Sequence, residues 1–88
     1  MPYQYRIYTE RTKALPAQIE AVSKKFESFT TIEAQGYWKE QPEPSVIFEI
    51  ISDWPVALKV QEAAQEIKRL GCQEAVLCTK QTIETDLV

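Results

Sequence analysis

The side chains of this chain that could do chemistry are few, and their types exclude most catalytic centres. There is no histidine among the 88 residues, so neither a Ser-His-Asp nor a Cys-His nucleophile pair exists. Two glycines are too few to build a Gly-rich phosphate cradle, and no segment matches a P-loop. Cys72 and Cys78 are the only thiols. Without histidine they cannot complete a tetrahedral zinc site unless carboxylates are recruited, so no metal and no cofactor is expected. A disulfide between them fits the spacing, but a reducing compartment disfavours it. Cys78 lies in an apolar strand pattern and reads as a small core residue, while Cys72 reads as exposed with no activating neighbour.

What remains is a polar and aromatic set: Arg6, Tyr8, Glu33, Gln35, Tyr37, Trp38 and Lys39. Arg6 and Lys39 supply positive charge, the three aromatics supply stacking surface, and Glu33 and Gln35 supply hydrogen bonds. Together they suit capture of a small polar ligand. Glu33 and Glu49, as cross-strand neighbours, suggest a second chemistry, in which two carboxylates on one face act as general acid and base.

Strands must position these residues. In the first strand, Tyr3 to Glu10, residues Tyr3, Tyr5, Ile7 and Thr9 share one face and Gln4, Arg6, Tyr8 and Glu10 the other. A helix follows with Pro16 in its first turn, where a missing N–H does no harm, and its apolar stripe is Leu15, Ile19, Val22 and Phe26. The second strand, about Phe29 to Lys39, is rich in β-formers. If Tyr5 and Ile7 face the helices, Glu33, Gln35, Tyr37 and Lys39 are expected to face away from them with Arg6 and Tyr8. Trp38 then points to the helix side, or lines a pocket at the hairpin end. Gly36 marks either a bulge or the close approach of another backbone or ligand.

Glu40-Gln41-Pro42-Glu43-Pro44 reads as the hairpin connection, with prolines that stop the ladder. Ser45 to Ser52, nearly all apolar, is a central strand with Glu49 its one charge. Asp53 is placed to cap a second helix striped with Val56, Val60, Ala63 and Ile67, and Trp54 packs as a staple at its entry. Lys68 and Arg69 suit the C-terminal end of the helix dipole, and Gly71 supplies a left-handed stop. A fourth strand runs from about Glu74 to Lys80, and Thr82 to Val88 either extends it or frays.

The order β-α-β-β-α-β predicts an α+β domain over residues 1–88: a ferredoxin-like sandwich with a four-stranded antiparallel sheet. Right-handed crossovers put both helices on one face and leave the other bare. In so small a domain a bare face carrying Ile47, Ile51 and Tyr37 is more stable when covered, which predicts a homo-oligomer, in the simplest case a dimer. A net charge of −3 argues against DNA or RNA polymers as partners. The third strand also lacks the basic, Gly-containing motif of RNA-binding sheets. No apolar run approaches the roughly 20 residues of a membrane span and the start has no signal-peptide layout, so a cytoplasmic location is expected.

Three segments, Gly36-Tyr37-Trp38-Lys39, Glu43 to Ile51 and Gln73-Glu74-Ala75-Val76-Leu77, resemble a group of small uncharacterised proteins of phages and bacteria. More loosely they resemble a bacterial domain-of-unknown-function family. The resemblance spans Thr30 to Lys80. It implies the ferredoxin-like topology and carries no catalytic residue over. It also suggests a phage-borne, counter-defence binder as a class. The sequence thus points first to a non-catalytic binding module that takes up a small polar, nucleotide-like ligand or a partner protein as a homo-oligomer. A small dimeric α/β-barrel enzyme with a carboxylate base is the alternative, and a scaffold without ligand is a third reading.

Overall fold

The computed structural model describes residues 1–88. Its elements are β1 (Tyr3–Glu10), α1 (Leu15–Ser23), β2 (Thr30–Trp38), β3 (Gln41–Ser52), α2 (Ala57–Leu70) and β4 (Leu77–Thr82). The strands form one antiparallel sheet in the order β2-β3-β1-β4. Val22 of α1 and Val60, Ala63, Ala64 and Ile67 of α2 share a single buried cluster with Tyr5, Ile7, Val46, Phe48 and Ile50 of the sheet. Both helices therefore lie on one face, which is the expected ferredoxin-like α+β architecture.

The period-two alternation in β1 and the stripes of the two helices create that cluster. Ile7, Val22, Phe48 and Ile67 are fully buried in it. Gln18, also fully buried, donates from Nε2 to the Ile67 carbonyl at 2.9 Å and so ties α1 to the last turn of α2.

The β2–β3 hairpin departs from expectation. Its ladder runs unbroken to Trp38↔Gln41, so Pro42 and Pro44 belong to β3 and do not end the pairing. The Pro44 carbonyl accepts from the Arg11 N–H, at 2.9 Å, on the β1 side of the strand. A residue's N–H and C=O point the same way in an antiparallel ladder, so Pro44 and, two residues earlier, Pro42 present their missing donors away from β2. The connection shrinks to Lys39 and Glu40, whose φ values of 49° and 66° form a tight turn with both central residues left-handed. Gly36 sits in continuous register opposite Glu43, so there is no bulge. The result is a two-stranded arm that projects past the end of β1.

Five smaller expectations are also corrected. Asp53 does not cap α2, which starts at Ala57. The Tyr5 hydroxyl instead accepts from the Val56 N–H at 3.1 Å, while Ser52 Oγ accepts from the Trp54 N–H at 3.1 Å. Trp54 is not a staple, because it is 76% exposed. At the far end Cys72, not Gly71, takes the left-handed conformation, with φ 52° against −84°. A Cβ at Gly71 would lie 2.8 Å and 2.9 Å from the Gln73 and Gln18 amide nitrogens, so glycine makes room there for two side chains. Finally, β4 begins at Leu77, and Cys78 is exposed at the sheet edge and not in the core. Partial burial nevertheless pushes its thiol pKa up.

Candidate functional site

Strand register fixes which side chains share the helix-free face. Arg6 pairs with Glu49 and Thr79, and Glu49 pairs with Thr30, giving a polar row across all four strands. Beside it, Leu77, Tyr8, Ile47 and Ile32 form an apolar row. On the other flank lie Gln81, Gln4 and Ile51. The face is banded: one charged row runs between two rows that are largely apolar or uncharged.

The centre of the charged row is an ion pair. Arg6 Nε donates to Glu49 Oε2 at 2.8 Å, and a guanidinium Nη lies 2.7 Å from the same oxygen. The Glu49 side chain is 15% exposed and that of Arg6 33%. Hydrogen bonding to Glu49 is the largest cause raising the Arg6 pKa above its ordinary value, and Tyr8 beside it acts in the same direction. The guanidinium is therefore fixed in place, and its remaining N–H groups are aimed by the pair. Tyr8 offers a half-buried ring and a hydroxyl next to them.

The set proposed from sequence is only partly brought together. Arg6 and Tyr8 lie where expected. Glu33, Gln35 and Tyr37 pair with Val46, Pro44 and Pro42, and Val46 is buried under the helices, so these three are on the helix side of β2. Glu33 there bonds Arg11 at 3.0 Å, and the Gln35 amide donates to the Tyr37 hydroxyl at 3.4 Å. Glu33 and Glu49 thus lie on opposite faces and make no carboxylate pair. Trp38, expected on the helix side, is on the helix-free side of the arm tip, 64% exposed, with the Lys39 ammonium 5.7 Å from its ring centre.

The reason for the reversal is arithmetic. The two-residue turn sets β2 and β3 so that even-numbered residues of β2 face odd-numbered residues of β3, whereas a longer loop left the phase free. Trp38 and Arg6 are also separated along β3 by eight residues, from Gln41 to Glu49. At about 3.3 Å per residue that is roughly 26 Å, too far for one pocket in one chain. Sequence reasoning missed Thr30, Ile32, Leu77 and Thr79 on this face. Carrying the alternation into β4 and correcting the phase of β2 recovers all four.

Elsewhere the surface is shallow. One depression is an open groove between α2 and β4, lined by Leu58, Glu62, Gln65, Lys68, Val76 and Cys78. No group of three or more metal-ligating side chains comes together. No helix is long and apolar enough to cross a membrane.

No family model and no curated protein matches the chain. Solved structures do. A phage SAM lyase in complex with S-methyl-5′-thioadenosine superposes with a TM-score of 0.72 at 18% identity, over 91% of this chain and 80% of that one. A DUF3240 family protein from Shewanella baltica matches with a TM-score of 0.68 at 11% identity, over 98% and 94%. The B. subtilis GlnK–ATP complex matches with a TM-score of 0.60 at 18% identity, over 93% and 81%. At these identities the similarity establishes the fold.

Proposed function

We propose that this chain is a non-catalytic binding module that captures a small adenosine-bearing ligand on its helix-free sheet face, working as a homo-oligomer. The observation that carries the reading is the Arg6–Glu49 pair, held in fixed geometry beside the Tyr8 ring and between an apolar row and an uncharged one. A nucleoside needs both features, a ring to stack on and oriented donors and acceptors for its polar edges. Two structures sharing this fold were solved with adenosine compounds, S-methyl-5′-thioadenosine in one and ATP in the other.

Charge narrows the class. The charged residues in the register of the face are Arg6, against Glu10, Glu43 and Glu49. One cation already paired, facing three carboxylates, favours a neutral or cationic nucleoside over a polyphosphate. Association of copies supplies the walls that a flat sheet lacks.

The test is calorimetric titration with S-methyl-5′-thioadenosine, SAM and ATP. The two sulfur nucleosides are expected to bind more tightly than ATP. Loss of the ring in Tyr8→Ala removes stacking of about 1–3 kcal/mol, roughly a 5- to 150-fold weakening. Lys68→Ala, in the groove on the other side, should leave binding unchanged. No binding by any of the three, or binding insensitive to Tyr8→Ala and Arg6→Ala, overturns the proposal.

A second reading is favoured by the lyase match, the one with the higher TM-score of the two nucleoside-bearing structures. In it the face acts on SAM, with Glu49 as the carboxylate at the reacting centre. Chromatography of SAM after incubation separates the readings. A binder returns SAM unaltered, whereas a lyase breaks the bond between sulfur and the amino-acid chain, releases S-methyl-5′-thioadenosine together with the amino-acid fragment, and loses both products in Glu49→Gln.

A further inference from the structure

The two long edges of the β2–β3 arm are treated differently. On the β3 side, Pro42 and Pro44 remove the outward donors, a common means of blocking an unwanted strand. On the β2 side, the residues whose N–H and C=O point outward are Thr31, Glu33, Gln35 and Tyr37, with no proline or lysine among them. At the opposite end of the sheet β4 is the other unpaired edge, guarded by no proline and by a single lysine, Lys80. The Ile83 N–H donates to Pro2 O at 3.0 Å on the β1 side, so by alternation Cys78, Lys80 and Thr82 present their backbone groups outward. All six residues of β4 are exposed.

We propose that the outer edge of β2 in one copy pairs antiparallel with the outer edge of β4 in the next, head to tail. This builds on the homo-oligomer of the preceding section and is independent of its ligand. The geometry is self-consistent in three respects. Strand directions alternate through the sheet, so placing copies side by side in the same orientation makes the new pair antiparallel, as the edges require. Hydrogen-bonding residues are odd-numbered on β2 and even-numbered on β4, which keeps helix-side residues next to helix-side residues across the joint. One register also satisfies the side chains: with Glu33 opposite Lys80, Tyr37 falls opposite Val76 in the α2–β4 groove, and Leu77 falls opposite Gly36, which has no Cβ to obstruct it. Like-with-like pairing of two β4 edges offers Lys80 no carboxylate on the facing strand, and in its fullest overlap sets Lys80 against itself.

The contact accounts for surface that one chain leaves uncovered. Tyr37 is 72% exposed and Leu77 61%, and both become joint residues. A contact of this kind, always in one sense, closes as a ring or runs on as a filament. It puts all helices on one surface of the joined sheet and all helix-free faces on the other. A ring closed with helices outward therefore turns the Leu77–Tyr8–Ile47–Ile32 row inward.

Two measurements test this. Proline at Gln35 removes a donor used only between copies and spares the intrachain ladder. In native mass spectrometry the wild-type chain is expected at multiples of 10.2 kDa, and Gln35→Pro as a single 10.2 kDa species with unchanged circular dichroism. In a Cys72→Ser, Cys78→Ser background, Ala34→Cys and Thr79→Cys sit opposite each other at a non-hydrogen-bonded pair of the joint, about 4.5 Å apart at Cα, within disulfide range. Oxidising a mixture of the two single variants should give a cross-linked dimer, and oxidising either alone should give none. Self-cross-linking of Ala34→Cys, no cross-link in the mixture, or an assembly indifferent to Gln35→Pro overturns the edge pairing while leaving association itself standing. A monomeric wild-type chain overturns both.

Discussion

Removing one oxygen from the core should loosen the second helix. The Tyr5 ring is buried, at 2% exposure, and its hydroxyl is the side-chain acceptor for the Val56 N–H at the start of α2. Tyr5→Phe keeps the ring and deletes only that acceptor. A typical net hydrogen bond contributes about 0.5–1.5 kcal/mol, and a buried donor left unpaired costs about 1–3 kcal/mol. Val56 is half-buried, so water recovers part of the loss, and about 1–2 kcal/mol is expected. For a domain of this size each kcal/mol lowers Tm by about 4–8 °C. The control is Asp53→Ala. Asp53 looks like the cap in the sequence but makes no capping bond, so its removal should stay within about 0.5 kcal/mol. Thermal unfolding followed by circular dichroism, at one fixed protein concentration, measures both. A Tm that falls in Asp53→Ala and holds in Tyr5→Phe refutes the part given to the Tyr5–Val56 hydrogen bond.

Two further outcomes are open to direct measurement. Ile67→Ala, at a fully buried position, should cost about 2–5 kcal/mol in denaturant unfolding, and Phe26→Ala distinctly less, because Phe26 is half-buried with the Lys59 ammonium over its ring. Hydrogen bonding to Arg69 holds the Glu66 carboxyl below its ordinary value of 4.5, so this pair favours the folded state above that pH and its contribution fades as pH falls through the lowered folded-state value. An NMR titration of the Glu66 carboxyl should show the depressed midpoint, and Arg69→Ala should return it towards 4.5.

The fold was legible because its signals are periodic. Alternation in β1, the nearly continuous apolar run of β3 and the two helical stripes each appear in the structure with the same facing. The site was less legible, for one local reason. Lys39 and Glu40 carry no Asn-Gly or Asp-Gly signature, yet both adopt left-handed φ, and two prolines nearby suggested a long loop. Shortening the loop to two residues changed the phase of β2 relative to β3, and with it the face of Glu33, Gln35, Tyr37 and Trp38. Pro42 and Pro44 misled because a proline breaks a ladder only where its N–H would have been used, and their even spacing sends both to the side away from β2. Asp53 misled in a related way. Its type and position suit a cap, but the helix starts four residues later with no side-chain cap, and Tyr5, distant in sequence and adjacent in space, holds the Val56 N–H that leads into it.

The most direct test of the helix-free face as the binding surface is residue-resolved. ¹⁵N-labelled protein titrated with S-methyl-5′-thioadenosine should show amide shift changes concentrated at Arg6, Tyr8, Glu49 and Thr79, saturating with one common affinity. Changes concentrated instead at Leu58, Lys68 and Cys78 in the α2–β4 groove, or no changes at millimolar ligand, would contradict it.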